Sequence, residues 1–240
     1  MNRTSRREAP LSVIIPTLNE AAHLPALLAN LCSADLTSAS LTTARTIIIS
    51  DGGSTDATRQ IAHQAGAHLI DGPPGRGGQF QRGIALAQSL NPESWLWLLH
   101  ADSALPPNWP DAVRAACTQP NRAYYGRLRF DSADPRARLL EIGVRLRCAL
   151  FALPYGDQSL LIHPTLLTAI GGMPGLPLME DVALAQRLGR RHLAPLDLRI
   201  TTDPSAYIRD GWLRRAAQNL IRLRRFLRTP TIPLAPDYRR

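Results

Sequence analysis

The sequence predicts an α/β protein with a mostly parallel sheet flanked by helices. Short apolar runs rich in β-branched residues alternate with segments in which leucines recur at helical spacing. Near-continuous apolar strands of this kind are typical of parallel sheets whose two faces are both covered by helices. Polar residues follow the predicted strands where each one ends, and ligands bind at that edge in open sheets of this class. A length of 240 residues suits a single domain with a basic helical extension.

Strand and helix patterns alternate regularly through the first half of the chain. The opening apolar run ends at Pro16, and a helix then begins near Asn19 and Glu20, with four leucines on one face. A glycine-rich loop at residues 72–78 separates the third strand from a helix of small residues. The predicted strands cover residues 11–16, 46–50, 67–70 and 95–100, and the helices that follow them begin near residues 19, 57, 79 and 106.

The second half is less regular and ends in an amphipathic helix. Strands are predicted at residues 123–130 and 159–163, and helices at residues 136–151 and 180–188. Over residues 211–228, arginines surround an apolar face formed by Leu213, Ala216, Ala217, Leu220, Leu223 and Leu227. We therefore divide the chain into a disordered lead-in at residues 1–10, a domain at residues 11–205, and a basic helix and tail at residues 206–240.

The basic residues are all of one type, and their excess lies at one end of the chain. All 28 are arginine, which excludes a lysine-containing phosphate loop and every mechanism that needs a lysine amine. Residues 1–186 carry 15 arginines and 15 acids, whereas residues 187–240 carry 13 arginines and four acids, so the C-terminal segment holds the whole net charge of +9. A basic segment on a neutral body predicts contact with something anionic, such as a phosphorylated ligand, a lipid surface or nucleic acid.

Cysteine usage and the N-terminal sequence indicate a cytoplasmic protein. Cys32, Cys117 and Cys148 are odd in number and far apart, which argues against a disulfide framework or a zinc site. Residues 1–10 are polar, and no apolar stretch long enough for a signal peptide or a membrane span follows them. We therefore expect a reducing compartment, with contact between the basic helix and the inner face of the membrane as one alternative.

Two aspartates follow predicted strands and are candidates for ligand binding. Asp51 precedes Gly52 and Gly53, and its carboxylate either hydrogen-bonds a nucleotide base or ribose or merely stabilises a turn. Asp102 follows the buried strand at residues 95–100. It is either a ligand of a hard cation such as Mg²⁺ or Mn²⁺, which prefers carboxylate and phosphate oxygens, or a solvated cap of the next helix.

Two further groups could carry charge or protons. Glu180 and Asp181 follow an apolar segment and either match the dipole of a helix start or supply a general base, since an apolar wall can raise the pKa of a carboxylate. Arg76 lies in a glycine-rich turn before a predicted helix and can hold a diphosphate there. That turn lacks the spacing of the known phosphate-binding loops, so it is a weak signal alone.

Taken together, these motifs resemble the family 2 glycosyltransferases, which have the GT-A fold. The resemblance covers about residues 11–190 and rests on the order and spacing of Ser12-Val-Ile-Ile-Pro-Thr-Leu-Asn-Glu20, Asp51-Gly-Gly-Ser-Thr-Asp-Ala57, Gly75-Arg-Gly-Gly78, His100-Ala-Asp102 and Glu180-Asp181. Pro154-Tyr-Gly-Asp-Gln158 and Pro177-Leu-Met-Glu-Asp-Val182 further resemble a bacterial subgroup of small soluble members associated with radical-SAM or selenium-related proteins.

The resemblance implies inverting transfer of a sugar from a nucleotide-diphosphate sugar to the hydroxyl group, or another nucleophile, of an acceptor. Asp181, with Glu180 beside it, would be the general base. A divalent metal, Mg²⁺ or Mn²⁺, would be held by Asp102 and by His100, which replaces the first acid of the family's DxD motif. The residues implied to bind the nucleotide sugar are Pro16, Thr17, Asn19, Glu20, Asp51, Gly53, Arg76, Ala101, Asp102, Gly156, Asp157, Gln158 and Arg209. The sugar, base, acceptor and oligomeric state are not predicted.

Other functions fit parts of the sequence. A sugar-1-phosphate nucleotidyltransferase has a related fold but uses a glycine-rich N-terminal loop with arginine and lysine, and a non-catalytic nucleotide-sugar-binding relative would not need Glu180 and Asp181. A nucleic-acid-binding module predicts aromatic residues among the arginines. Only Phe226 is aromatic between Trp212 and Tyr238, so no nucleic acid partner is expected. The helix at residues 211–228 either packs on the domain or rests on an anionic membrane.

Overall fold

Seven strands and nine α-helices form within residues 9–33 and 45–228, which are the residues that the computed structural model describes. The strands are β1 (Leu11–Thr17), β2 (Arg45–Asp51), β3 (His68–Asp71), β4 (Trp95–Leu98), β5 (Ala123–Phe130), β6 (Leu160–Ile162) and β7 (Leu193–Thr202). The helices are α1 (Leu24–Ser33), α2 (Thr58–Gln64), α3 (Arg76–Leu90), α4 (Trp109–Ala116), α5 (Pro135–Phe151), α6 (Pro164–Ala169), α7 (Glu180–His192), α8 (Ser205–Asp210) and α9 (Trp212–Arg228), with a 3₁₀ turn at Gly156–Gln158. Most of the predicted lead-in and the last part of the predicted tail lie outside the described residues.

The strands form one sheet in the order β3-β2-β1-β4-β6-β5-β7. β1 is parallel to β2 and β4, β2 is parallel to β3, and β5 is parallel to β7, whereas β6 is antiparallel to β4 and β5. The predicted mostly parallel sheet is therefore confirmed. Because β1, β2 and β4 are parallel neighbours, the residues that follow them meet at one edge of the sheet.

The core lies on both faces of this sheet. Val13 and Ile15 of β1 belong to an apolar cluster with α1 and α4, whereas Ile14 belongs to a second cluster with α3, α6 and α7. Successive side chains of a strand point to opposite faces, so an unbroken apolar strand is buried on both of them. The four leucines at helical spacing in α1 are buried against the sheet, as predicted.

β7 is a ten-residue strand that the sequence interpretation missed. Its buried Leu196, Leu198 and Ile200 alternate with the exposed Asp197 and Arg199. This alternation is the ordinary pattern of a half-buried strand and was present in the sequence. Helices α6 and α8 were also missed, and each is only six residues long.

The helix α3 begins at Arg76, three residues before the predicted start, so the glycine-rich motif forms its first turn. The N–H of Gly77 donates a hydrogen bond to the carbonyl oxygen of Leu176 at 3.0 Å. A Cβ atom at residue 77 would lie only 2.3 Å from that oxygen. Glycine is required because the backbone of α3 directly contacts the segment that precedes α7.

The helix α9 packs on the domain through a face other than the predicted one. Its buried residues are Trp212, Leu223 and Phe226, whereas Leu213, Leu220 and Leu227 are exposed. The existence of the helix is confirmed, but most of its leucine face points away from the core. Whether the chain divides into two units at residue 205 stays a prediction. Within residues 9–33 and 45–228, no helix is both long enough and apolar enough to cross a membrane.

Candidate active site

Side-chain hydrogen bonds join the loops that follow β1 and β2. Asn19 has a φ of 58°, a left-handed conformation that asparagine tolerates, and its N–H donates to Ser54 Oγ at 2.8 Å. The side-chain oxygen of Asn19 accepts from the N–H of Thr55 at 2.9 Å. The N–H of Glu20 donates to Thr58 Oγ1 at 2.8 Å. These bonds hold the two sequence motifs against one another at the sheet edge.

Asp51 is fully buried and organises the turn after β2. Its Oδ1 accepts hydrogen bonds from the hydroxyl groups of Thr17 at 2.9 Å and Ser54 at 2.5 Å. Its Oδ2 accepts from the N–H groups of Gly53 at 2.9 Å and Ser54 at 2.7 Å. The carboxylate therefore stabilises a turn, as one of the two sequence interpretations expected. A contact of Asp51 with the base or ribose of a nucleotide remains a prediction. The predicted contact of the nucleotide with Pro16, which is buried, also remains one.

A cavity of about 310 Å³ lies next to these loops. Predicted site residues from distant parts of the chain line it. Arg76 reaches it from the start of α3, and His100 and Asp102 reach it from the segment after β4. The 3₁₀ turn and the start of α7 complete this part of the wall. The predicted residues that line the cavity are Arg76, His100, Asp102, Gly156, Asp157 and Asp181.

The remaining cavity wall was not predicted. It comes mainly from the ends of β5 and β7, from α8, and from one face of α9, where three polar residues are spaced three or four positions apart. The unpredicted lining residues are Phe130, Tyr155, Leu178, Met179, Thr202, Asp203, Ala206, Tyr207, Arg215, Asn219 and Arg222. The alternating pattern of β7 could have located Thr202 and Asp203, because both lie at the end of that strand.

Several predicted residues lie outside the cavity lining. Ala101 is buried in the core, and the buried Gln158 donates to the carbonyl oxygen of Gly126 at 3.0 Å. Arg209 is exposed and donates to its neighbour Asp210 at 3.0 Å, whereas Arg215 and Arg222 of α9 line the cavity. The loops of β1 and β2 also lie outside it: Pro16, Thr17, Asn19, Glu20, Asp51 and Gly53 are not among the lining residues. These loops are nevertheless close, since Asp102 acts electrostatically on Glu20, whose pKa is raised mainly by burial.

Glu180 is completely buried behind the cavity and pairs with Arg76. Its Oε1 lies 3.4 Å from Nε of Arg76, whose side chain is partly exposed. Burial raises the pKa of Glu180 from 4.5 to about 7, against the opposing charge of Arg76, and the charge of Asp181 raises it further. The ion pair fixes the guanidinium group of Arg76 at the cavity wall.

Asp181 is held in one orientation at the start of α7. Its Oδ2 accepts a hydrogen bond from the N–H of Gly156 at 2.6 Å, and its Oδ1 accepts from the N–H of Val182 at 2.7 Å. Gly156 also touches His100, because a Cβ atom at residue 156 would lie 2.5 Å from Nε2 of that histidine. Glycine is therefore needed where the 3₁₀ turn contacts both His100 and Asp181.

His100 is half-buried and neutral at pH 7. Burial lowers its pKa to about 4 and the charge of Arg76 lowers it further, although Asp102 and Asp181 oppose the shift. Its Nε2 atom is buried without a hydrogen-bond partner among the described residues. Oδ2 of Asp102 accepts a hydrogen bond from the hydroxyl group of Thr202 at 2.8 Å. Within residues 9–33 and 45–228, no cluster of three or more histidine, cysteine or acidic side chains could hold a metal.

Asp157 is a further carboxylate in the cavity wall, and the charge of Asp181 acts on it. Burial raises its pKa to about 6, with Asp181 and Asp102 adding to the effect and Arg147 opposing it. Its Oδ1 atom is buried without a hydrogen-bond partner in the described part of the chain. Since a buried oxygen without a partner is costly, a hydroxyl group of a bound ligand would be a favourable partner for it.

The fold and the site define an α/β ligand-binding protein with carboxylates, a neutral histidine and arginines at the carboxyl edge of its sheet. Such a set of groups can bind a diphosphate and accept a proton. Residues 12–176 match the family model described as Glycosyl transferase family 2. The chain belongs to this family, and the protein is a glycosyltransferase. This assignment favours glycosyl transfer over the nucleotidyl transfer that the sequence interpretation left open.

Solved structures of low sequence identity share the fold. Glucosyl-3-phosphoglycerate synthase from Mycobacterium tuberculosis, in complex with Mn²⁺, UDP and glucosyl-3-phosphoglycerate, is 21% identical with a TM-score of 0.54, and the match covers 80% of this chain and 70% of that one. A structure described as a mycobacterial protein is 20% identical with a TM-score of 0.55, covering 80% and 66%. The same synthase with Mg²⁺ and UDP is 19% identical with a TM-score of 0.53, covering 80% and 70%. The predicted GT-A fold is confirmed. No curated protein matches the chain.

Proposed function

We propose that the protein transfers a glycosyl group from a nucleoside-diphosphate sugar to a hydroxyl-bearing or other nucleophilic acceptor, with inversion at the anomeric carbon. The observation that supports this proposal is the cavity in which Arg76, Asp102 and Asp181 meet at the edge of the sheet. The similar synthase structures contain UDP or UDP-glucose, which supports a donor of this chemical class.

The donor would lie along the loops of β1 and β2 with its diphosphate towards Arg76. The rigid connection between Asn19 and Ser54 and the buried turn around Asp51 give the nucleoside a preformed surface. The guanidinium group of Arg76, held by Glu180, would neutralise the charge that develops on the departing diphosphate. Preorganised charge of this kind acts without further rearrangement during the reaction.

A divalent cation, Mn²⁺ or Mg²⁺, fits the residues beside Arg76. The carboxylate of Asp102 and the neutral Nε2 of His100 would hold it, with the donor's diphosphate oxygens as further ligands. When bound, the cation would supply positive charge that stabilises the leaving group. The metal ions in the similar synthase structures support this choice of cation.

Asp181 would act as the general base. The acceptor hydroxyl would attack the anomeric carbon as the bond from that carbon to the diphosphate oxygen breaks, and its proton would pass to the Asp181 carboxylate. The N–H of Gly156 fixes Oδ2 of Asp181, so the carboxylate is already oriented when the acceptor binds. General-base assistance of this kind contributes about 10²–10⁴ in rate. Asp157, beside it, would accept a hydrogen bond from a hydroxyl of the sugar or the acceptor.

The test begins with a screen of nucleotide sugars for release of the nucleoside diphosphate in Mn²⁺ or Mg²⁺. With the donor identified, Asp181→Asn should lose transfer by at least about a hundredfold and keep donor binding in titration calorimetry. The exposed Asp111→Asn is the matched control and should retain both. Transfer by Asp181→Asn at the rate of the control would overturn the assignment of the base. Asp102→Ala should remove the metal dependence of donor binding, and unchanged binding with and without metal would contradict the metal site.

Membership of the radical-SAM or selenium-associated subgroup is also a proposal. It rests on the motifs at residues 154–158 and 177–182, and residues from both motifs line the cavity. Turnover in the release assay would also exclude the non-catalytic sugar-nucleotide-binding protein that the sequence interpretation left open. Peripheral contact with an anionic membrane likewise stays a prediction of the sequence.

A further inference from the structure

Most of the large apolar side chains that are exposed within the described residues lie on the three helices α5, α8 and α9. Of the eleven large apolar side chains that are exposed within the described residues, ten belong to α5, α8 or α9, and Leu90 is the exception. Single exposed leucines are common, whereas a contiguous apolar surface usually marks an interaction site. We use the name docking face for seven of these residues, which form one strip on α5 and one on α9: Leu139, Ile142, Leu146, Leu150, Leu213, Leu220 and Leu227.

The docking face of α5 lies opposite the side of the helix that packs on the sheet. At about 100° per residue, its four positions fall in a strip about 80° wide. The buried Ala137, Glu141 and Cys148 lie about half a turn away. The strip residues are 45–62% exposed. The helix is therefore apolar on two opposite sides, and the domain covers only one of them.

A second exposed apolar strip lies on α9, which is a neighbour of α5. Leu213, Leu220 and Leu227 follow one another at seven-residue intervals and form a straight strip. The first residue of α9, Trp212, packs in one cluster with Ala137, Leu140 and Val144 of α5, so the two helices are neighbours. Arg215 and Arg222, which line the cavity, lie roughly on the opposite side of α9 from this strip.

The rim of the docking face is strongly basic. Five arginines on these two helices are exposed and have no ion-pair partner within the described residues: Arg145, Arg214, Arg224, Arg225 and Arg228. The sequence of α9 contains no acid. The only acid within α5, Glu141, is buried and paired with Arg129 and Arg138. An occupant of this face must therefore combine an apolar surface with negative charge.

We propose that the docking face binds the surface of an anionic lipid bilayer. Its leucines would enter the boundary between headgroups and acyl chains while the arginines reach the lipid phosphates. A second copy of this chain would place like-charged arginines against each other, which disfavours self-association through this face. Nucleic acid would satisfy the arginines and leave the leucines exposed. The proposal does not depend on the identity of the donor or the acceptor.

The experiment is co-sedimentation of the full chain with vesicles of phosphatidylcholine alone or of phosphatidylcholine and phosphatidylglycerol in equal parts. Binding is expected only to the anionic vesicles and should weaken with salt. The double variant Leu146→Ser and Leu150→Ser should weaken it at least about tenfold, since two large apolar side chains leave the bilayer boundary. Replacing Arg224, Arg225 and Arg228 with glutamine should weaken it about a hundredfold, at about fivefold per arginine.

Matched controls keep the proposal open to refutation. Leu90→Ser removes an exposed leucine of α3, which is not part of the docking face, and Arg122→Gln removes an exposed arginine outside both of its helices. Both variants should bind anionic vesicles like the unaltered chain. Circular dichroism and thermal unfolding would verify that every variant is folded. Absence of binding to anionic vesicles overturns the proposal, as does equal binding by the leucine variant and the Leu90 control. Sedimentation velocity covers the remaining alternative: a dimer that the leucine variant dissociates, without lipid binding, would assign the face to self-association and refute the proposal.

Discussion

Replacing Glu180 with glutamine should make the protein's stability less dependent on pH. Glu180 has no exposed surface, and burial raises its pKa from 4.5 to about 7. Between these two pH values the folded protein keeps the proton that the unfolded chain has released. The folded state then binds more protons than the unfolded state, so the free energy of unfolding falls as the pH rises through this window. The penalty is absent below pH 4.5 and complete above pH 7.

The size of the effect follows from the two pKa values. Their separation corresponds to about 3 kcal/mol of destabilisation at pH 8, of which about 1 kcal/mol is already present at pH 5. Glutamine has nearly the same size and does not titrate. The cost of burying its amide beside Arg76 is the same at both pH values and cancels in the comparison. We therefore expect the stability of Glu180→Gln relative to the unaltered chain to improve by about 2 kcal/mol from pH 5 to pH 8.

Urea unfolding followed by circular dichroism at pH 5 and pH 8 measures this change. Asp111→Asn, which removes a largely exposed acid, should change stability by less than about 0.5 kcal/mol at either pH. If Glu180→Gln differs from the unaltered chain by the same amount at both pH values, Glu180 is not protonated in the folded state and the reasoning is refuted.

Turnover should fall in the same variant because Arg76 loses the charge that holds it. A variant that is more stable at pH 8 and less active would show that this ion pair serves the site at the expense of stability.

Two further substitutions test the packing around the site. Gly77→Ala should destabilise the protein by about 1–3 kcal/mol in urea unfolding, because its Cβ would lie 2.3 Å from the carbonyl oxygen of Leu176, and turnover should fall as α3 shifts. Gly78→Ala is its control, because the nearest atom to the added Cβ would be 3.7 Å away. Its stability should stay the same or rise by up to about 1 kcal/mol. Equal losses of stability in both variants would contradict the steric argument. Trp212→Ala should cost about 3–5 kcal/mol in the same measurement, since the buried indole packs against Tyr207 with ring centroids 5.4 Å apart. A cost below about 1 kcal/mol would show that α9 is not anchored through this residue.

The parallel half of the sheet could be predicted from the sequence because its local signals agree with one another. The strands β1, β2 and β4 are short apolar runs, and each ends at the polar or turn residues that a ligand site at the strand ends requires. Arg76, His100 and Asp102 could therefore be assigned to one edge before the structure was known. The sequence motifs also brought Asp157 and Asp181 into the same set, and the cavity contains all five.

The second half resisted prediction because packing, and not local pattern, decides the outcome there. The pattern of α9 indicated an amphipathic helix, but a helix with apolar residues on more than one side does not reveal which side meets the core. The sheet and α5 bury Trp212, and a separate cluster around Val182 of α7 buries Leu223 and Phe226. Leu213, Leu220 and Leu227 therefore remain exposed. For the same reason, the two cavity arginines on α9 could not be predicted from the sequence. Arg215 and Arg222 are identified only when the position of α9 beside Asp157 and Asp181 is known.

The positions of the C-terminal arginines link the site and the docking face through one helix. Arg215 and Arg222 face the cavity from α9, and Arg215 is also tied to Asp210 at 2.8 Å. Arg224 and Arg225, close to them in sequence, are exposed on the outside of the same helix. Because a helix presents residues three or four apart on one side and those between them on another, a single segment can serve two surfaces. The arginines of α9 are therefore divided between the wall of the cavity and the proposed membrane surface, and a lipid-bound α9 would remain a wall of the transferase site.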